Sequence, residues 1–184
     1  MTSSAWPGRC RADRPGCSLL AALGTVQRWE ADMPGLWLEE FEEGQVFEHE
    51  WTRTVTEGDN MQFSLMTMNP QPLHIDRHAA ARSEFGQPLV NSLFTLGLLV
   101  GMTVNDTTLN TTVANLGMDK VRFPAPLFQG DTVRARTTVL TVRPSKSRPG
   151  QGIVGFLHEM LNQDGVLVAS CERAALMKGR PAAG

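Results

Sequence analysis

The chain has 184 residues, 41% hydrophobic and 20% charged, with 17 Lys and Arg against 19 Asp and Glu for a formal net charge of −2. That hydrophobic content excludes a disordered chain, and the near-neutral balance argues against a dedicated nucleic-acid binder, which carries a basic excess. No apolar run approaches the roughly 20 residues that cross a bilayer, and the three cysteines, Cys10, Cys17 and Cys171, form neither a disulfide framework nor a zinc site.

The reducing cytoplasm is the default compartment, and the length fits one domain, or one domain and a tail. Residues 1–34 differ from the rest. They hold Arg9, Arg11, Arg14 and Arg28, Pro7 and Pro15, two of the three cysteines and little periodicity. Four basic against three acidic residues leave +1 there and −3 over 35–184. Arginines before Leu19-Leu20-Ala21-Ala22-Leu23 give a signal-peptide reading some support. The run is short for an h-region of about 7–15 residues, and Gly24 and Thr25 end it. Globular patterning starts at Met33-Pro34-Gly35-Leu36-Trp37. The expectation is a disordered extension over 1–34, with Met33 as an alternative start, and a folded domain over 35–180.

From residue 36 the pattern is α+β. Trp37, Leu38 and Phe41 among Glu39, Glu40, Glu42 and Glu43 form an acidic amphipathic lead-in, and 46–54 reads as an edge strand. Thr56-Glu57-Gly58-Asp59 has the spacing of a capping box. The helix it starts carries Met61, Phe63, Leu65, Met66 and Met68, and Pro70 and Pro72 force its end. Asp76 is placed to cap a short helix running to Phe85, with Gly86 as its stop. The most apolar stretch, 88–102, predicts a helix capped by Asn91 or Ser92 and running to about Asn105. Its Leu, Phe and Val fall all round, so burial on nearly every side is expected. Gly97 and Gly101, four apart, share one face. After Asp106, the segments 111–123, 131–142, 153–162 and 166–177 are rich in Val, Thr, Leu and Phe and separated by turn signals, Asp164-Gly165 among them. The economical architecture is a curved antiparallel sheet wrapped around the apolar helix.

Of the four histidines, His49 and His158 lie in strand-like segments and read as structural or surface residues, and His78 as solvent-facing. His74 differs. It follows Asn69-Pro70-Gln71-Pro72-Leu73, a loop stiffened by two prolines, and shortly precedes a helix cap. Such a loop can hold Asn69 and His74 close together for a small molecule to meet both. It can equally be a polar loop whose prolines merely stop a helix.

The stretch Asn69-Pro70-Gln71-Pro72-Leu73-His74-Ile75-Asp76, followed by Phe85-Gly86-Gln87-Pro88-Leu89-Val90-Asn91-Ser92, resembles the hydratase signature of MaoC-like dehydratases, the family that includes the (R)-specific enoyl-CoA hydratases. Val121-Arg122-Phe123-Pro124-Ala125-Pro126-Leu127-Phe128-Gln129-Gly130-Asp131 resembles the strand and turn after the family's central helix, and the likeness is colinear over about residues 36–178. It implies a hot-dog fold, a long helix over about 91–105 wrapped by an antiparallel sheet. It also implies a homodimer or higher homo-oligomer with acyl-CoA sites between subunits. Neither metal nor resident cofactor is implied, nor a nucleic-acid or membrane partner.

The likeness departs from the family at the chemistry. Family hydratases carry an aspartate and a histidine that share the attacking water. The aspartate position is Asn69 here, the family's asparagine is Gln71, and His74 matches the histidine. The usual His-Gly pair opening the central helix is Asn91-Ser92, so Ser92 inherits the backbone N–H that holds the thioester oxygen. A supporting serine found further along the helix in some relatives falls at Val100.

Hydrating an enoyl thioester needs a base for water and donors for the enolate oxygen. An imidazole suits the first task and a helix N-terminus the second. Asn69 can orient water but cannot take its proton. The expected function is therefore reversible water addition to an enoyl-CoA, with His74 as acid/base and Asn69 positioning water. Asn69, Gln71 and Asn91 would offer amide donors to a dicarboxylic acyl group of itaconyl or mesaconyl type, which an aspartate would repel. The alternatives are a hot-dog acyl-CoA thioesterase and a non-catalytic acyl-CoA-binding partner subunit. For the CoA phosphates, Arg143, Lys146 and Arg148 cluster in one turn and Arg122 is a second candidate; a solvated basic loop is the other reading of that turn.

Overall fold

A computed structural model describes residues 35–181; the extension expected over 1–34 lies outside the described residues. One 3₁₀ turn, Leu38–Glu40, opens the fold, closed by the Glu40 carboxylate accepting the Trp37 N–H at 2.7 Å. Strand β1 (Val46–Thr54) follows. Next come helices α1 (Glu57–Met66), α2 (Pro72–Ile75), α3 (Arg77–Ala80) and α4 (Ser92–Thr107). Strands β2 (Thr112–Arg122), β3 (Thr132–Pro144), β4 (Gln151–Leu161) and β5 (Leu167–Lys178) complete the described chain.

The caps follow the sequence closely. Thr56 Oγ1 accepts the Asp59 N–H at 3.1 Å and the Asp59 carboxylate accepts the Thr56 N–H at 2.9 Å, the reciprocal pair of a capping box. Helix α1 stops at Met66, and Met68 turns into the left-handed region with φ of 57°. The expected proline-stiffened loop contains a helical turn, α2, because Pro72 occupies its first position, where a missing N–H is harmless. Asp76 caps α3 by accepting the Ala79 N–H at 2.9 Å. This helix ends at Ala80 instead of reaching Phe85. The Ser83 hydroxyl donates to the Ala80 carbonyl at 2.6 Å and so competes with continuation of the helical ladder.

The sheet is antiparallel in the order β1-β3-β4-β5-β2. Strand β4, at its centre, turns Gly152, Val154, Phe156, His158 and Met160 inward. Helix α4 packs on that inner face against β1, β3, β4 and β5. The expectation that α4 is buried on nearly every side is corrected. Its covered stripe is Thr95, Leu99, Thr103 and Thr107, whereas Leu93 is 61% exposed and Gly97, Gly101 and Asn105 lie open. One sheet covers one flank. Threonine can face it because the Thr95, Thr103 and Thr107 hydroxyls donate to carbonyls of their own helix, at Asn91, Val100 and Thr103.

The inward rows of the strands divide the core into layers. One apolar cluster gathers Val55, Val90, Leu99, Val133, Ala135 and Met160 among others; the second gathers Phe41, Val139, Val154, Phe156, Ala175 and Met177. Between them, strand by strand, runs a polar belt. His49 Nδ1 lies 2.7 Å from Asp106 Oδ2, and His49 Nε2 lies 2.8 Å from Thr137 Oγ1. Thr137 Oγ1 in turn lies 2.8 Å from His158 Nδ1. Arg173, also buried, reaches Asn115 Oδ1 through Nε at 3.4 Å. His49 and His158 are thus structural, while His78 is exposed as expected.

Candidate active site

Hydrogen bonds through Leu89 and Asn91 tie the α1–α2 region to the start of α4. Asn69 Oδ1 accepts the Gln71 N–H at 3.2 Å, and the Gln71 carbonyl accepts the His74 N–H at 2.9 Å. Asn69 is thereby the head of a tight turn, with its carbonyl oxygen engaged and its amide N–H groups left as donors. Its backbone N–H is anchored on the Ser64 carbonyl at 2.8 Å.

His74 is half-buried, and its Nδ1 lies 2.8 Å from the Leu89 carbonyl. A carbonyl only accepts, so Nδ1 carries the hydrogen and Nε2 presents a lone pair. The Leu89 segment is fixed on both flanks. Leu89 N–H donates to the Leu73 carbonyl at 3.1 Å and Val90 N–H to the Leu127 carbonyl at 2.9 Å.

From Leu89 the chain runs three residues to Ser92, the first residue of α4. The N–H groups of that first turn have no intrahelical acceptor and sit at the positive end of the helix dipole. Asn91 caps one of them, its Oδ1 accepting the Leu93 N–H at 3.0 Å. Asn91 Nδ2 donates to Ser64 Oγ at 3.1 Å, and its carbonyl accepts the Thr95 N–H at 3.0 Å. Its side chain and backbone are 97% covered, since 3% is exposed. Asn91 is thus a buried cap, its side-chain oxygen on the Leu93 N–H and its NH₂ on Ser64 Oγ.

Ser92 is exposed and lines a cleft of about 240 Å³ with Phe85, Leu89, Thr95, Phe123 and Val168. The cleft adjoins His74 through Leu89; neither His74, Asn69 nor Gln71 lines it. Gln71 is exposed in the turn headed by Asn69. Arg122 ends β2 immediately before the lining residue Phe123. Arg143, Lys146 and Arg148 lie elsewhere. The register pairs Pro144 with Gly152 at one end of β4 and Arg134 with Leu161 at the other, so the β3–β4 turn stands about 30 Å of strand away from the cleft end of the sheet. Within one chain these three basic residues are not brought to the site.

Two residues went unnoticed in the sequence. Asn60 and Ser64 are both fully buried on α1, while Leu65 and Met66 at its end are 56% and 82% exposed. A polar pair four residues apart reads in sequence as a solvent face; here it faces inward to serve the Asn91 cap. Asn60 Oδ1 accepts the Asn91 N–H at 2.9 Å, and Asn60 Nδ2 lies 3.0 Å from both the His74 and the Leu89 carbonyls. The nearby capping box was the available signal that something on this short helix had to be held in register.

By fold the molecule is a hot-dog domain, an antiparallel sheet closed over one long helix. A family model described as MaoC like domain matches residues 40–159, and the chain belongs to the MaoC-like dehydratase family. It is 34% identical over 156 residues to the mesaconyl-CoA hydratase of Cereibacter sphaeroides, a match covering 81% of this chain and 43% of that protein. It is 30% identical over 158 residues to the beta-methylmalyl-CoA dehydratase of Chloroflexus aurantiacus, covering 80% and 41%. The chain therefore spans less than half the length of these curated relatives. A crystal structure of a MaoC-like dehydratase from Rhodospirillum rubrum is similar at a TM-score of 0.70 and 29% identity, covering 80% of this chain and 99% of that one. Among the described residues no helix is long and apolar enough to cross a membrane.

Proposed function

We propose that the protein is a hydro-lyase that adds water reversibly to the double bond of an enoyl-CoA thioester. The observation that carries this reading is the pinned imidazole of His74. Its Nδ1 is held by the Leu89 carbonyl, three residues from the first turn of α4, so the imidazole is bonded to the same segment that leads into the unpaired N–H donors of that turn. Water attacks the β-carbon while His74 Nε2 takes its proton. The electrons of the double bond move to the thioester oxygen, which the Ser92 N–H stabilises as it becomes an enolate. The imidazolium then returns the proton to the α-carbon, so atoms and charge balance with no resident cofactor.

Asn69 orients the water. Its Oδ1 is bonded to the Gln71 N–H, which leaves the amide N–H groups to donate to the water oxygen and direct the water's own hydrogen toward a base. In this arrangement His74 is the sole proton acceptor. The substrate class extends to branched dicarboxylic acyl groups of itaconyl or mesaconyl type, supported by the names of the two relatives and by amide donors at Asn69 and Gln71. Arg122 is the CoA-phosphate candidate at the cleft. Arg143, Lys146 and Arg148 reach a phosphate only from a second copy of the chain. A homodimer or higher assembly belongs to the same reading, supported by the unpaired outer edge of β2 and the open Leu93–Gly97–Gly101 face of α4. The free buried thiol of Cys171 suits the reducing cytoplasm.

The test is a panel of crotonyl-, itaconyl- and mesaconyl-CoA, followed by loss of enoyl-thioester absorbance and by mass spectrometry. Water addition is expected, with the dicarboxylic thioesters preferred. A clear preference for crotonyl-CoA removes the dicarboxylic part, release of free CoA means a thioesterase, and no turnover on any thioester leaves a binding subunit.

A further inference from the structure

We propose that Asn60 is the positioning residue of this site: its buried carboxamide locks the His74 imidazole in the tautomer that presents Nε2 as a base and ties that imidazole to the N-terminus of α4. The proposal rests on the reading of His74 as the acid/base group.

Asn60 is 0% exposed and sits near the start of α1. Its carboxamide meets three backbone groups from two separate segments. Both amide hydrogens are used, one on the His74 carbonyl and one on the Leu89 carbonyl, each at 3.0 Å. Its oxygen accepts the Asn91 N–H at 2.9 Å. The partners fix which end of the amide is which, because two carbonyls demand the NH₂ and one N–H demands the oxygen.

The Leu89 carbonyl is the shared element. It accepts from Asn60 Nδ2 and from His74 Nδ1, the latter at 2.8 Å, so both of its lone pairs are engaged. With Asn60 in place this oxygen is held toward the ring, and Nδ1 must be the protonated nitrogen. A neutral histidine free of such a partner prefers the opposite tautomer, with hydrogen on Nε2, and cannot then accept a proton there. The same carboxamide fixes the Asn91 N–H, and Asn91 caps α4 one residue before Ser92. One side chain thus sets the base and the oxyanion donors in a common frame. Only an amide does all of this. A carboxylate at position 60 would set an acceptor oxygen against two carbonyl oxygens, and an aliphatic side chain would take this partner from the His74 carbonyl and the Asn91 N–H and leave the Leu89 carbonyl with His74 Nδ1 alone.

A residue that merely staples the fold would lower activity whatever stands at position 74. A residue that acts through His74 loses its effect once the imidazole is gone. The experiment is a double-mutant cycle of Asn60→Ala with His74→Ala, read as kcat and KM for thioester hydration, joined to ¹⁵N NMR of the histidine side chains. In the parent background Asn60→Ala is expected to lower kcat about 10–100-fold with KM moved less than about threefold, the usual loss when the group supporting an imidazole is removed. In the His74→Ala background it is expected to change kcat by less than about twofold. The His74 ring should move from the Nδ1–H toward the Nε2–H tautomer. Asn60→Asp is expected to lose at least as much as Asn60→Ala. Equal fold-losses in both backgrounds, or an unchanged His74 tautomer in the folded variant, overturn the proposal. Should Asn60→Ala not fold, Asn60→Ser, which keeps a hydroxyl, carries the same two measurements. If the parent protein hydrates no thioester, the hydratase reading falls while the tautomer measurement still decides the role of Asn60.

Discussion

The two ends of α4 each carry histidines in hydrogen-bonded networks, and they are built for opposite purposes. At the N-terminal end, His74 has one ring nitrogen on the Leu89 carbonyl and stands half-buried next to a cleft. At the C-terminal end, His49 and His158 are sealed in the core and strung through Thr137 between Asp106 and the neighbourhood of Arg173. Thr137 has one hydroxyl hydrogen, so it donates to one ring and accepts from the other. With His49 Nδ1–H on the Asp106 carboxylate, the Thr137 hydroxyl donates to His49 Nε2 and His158 Nδ1–H donates to Thr137. That order leaves His158 Nε2 as a buried lone pair without a protein partner among the described residues. Burial, with the positive charge of Arg173 adding to it, pushes the His158 imidazole down to about 3, so it stays neutral. Both ends contain an imidazole with a free nitrogen. What separates them is burial: His74 is half-buried and bonded to a residue that lines a cleft, whereas His158 is shut inside the protein.

The sharpest way to break this contrast is to exchange the consequences of the two ends. His74→Ala is expected to lower hydration turnover by about 10²–10⁴-fold while circular dichroism and the thermal midpoint show an intact fold. A loss below tenfold would make His74 as structural as His158. His158→Leu should do the reverse, leaving kcat at neutral pH within about twofold and changing stability. Its pH signature follows from the lowered pKa. Between about pH 6.5 and 3 the unfolded histidine binds a proton that the folded one refuses. The stability it contributes is therefore complete above pH 6.5 and falls as the pH drops, by up to about 1.4 kcal/mol per unit. Denaturant melts at pH 7, 6, 5 and 4 should show a shallower acid decline in His158→Leu than in the parent. Smaller still is Thr56→Ala, which removes the cap of the helix that carries Asn60. About 1 kcal/mol of stability should be lost, together with a modest drop in kcat that unaltered Asn60 contacts would not produce.

Local chemistry made much of this molecule legible before its fold. The Thr56–Asp59 box, the Asp76 cap, the Asn91 cap and the Asp164-Gly165 turn are short-range devices, and each stands in the structure where its residues place it. The hot-dog architecture came through the resemblance carried by the Asn69–Asp76 and Phe85–Ser92 stretches. Long-range facts were hidden. Nothing in the run of Leu and Val residues in α4 tells that threonines take its covered side, because which flank meets the sheet depends on strands later in the chain. Asn60 was missed for the same reason, since a buried asparagine is recognisable only by the three backbone groups that surround it. The basic turn at 143–149 looked like a phosphate site by charge, and only the strand register shows that it stands at the far end of the sheet.

The polar belt that crosses the core also determines how the domain loosens. On either side of it, the Leu99 and Phe41 clusters pack against their own neighbours and meet across hydrogen-bonded side chains instead of interlocking aliphatic ones. Apolar contacts spread strain among many neighbours, whereas a chain of directional bonds passes on only what its geometry allows. Lifting the Leu36–Phe41 lead-in from the sheet is therefore expected to wet the Phe41 half of the core before the Leu99 half, and hydrogen exchange should show protection lost at Val154 and Ala175 before Val133 and Met160.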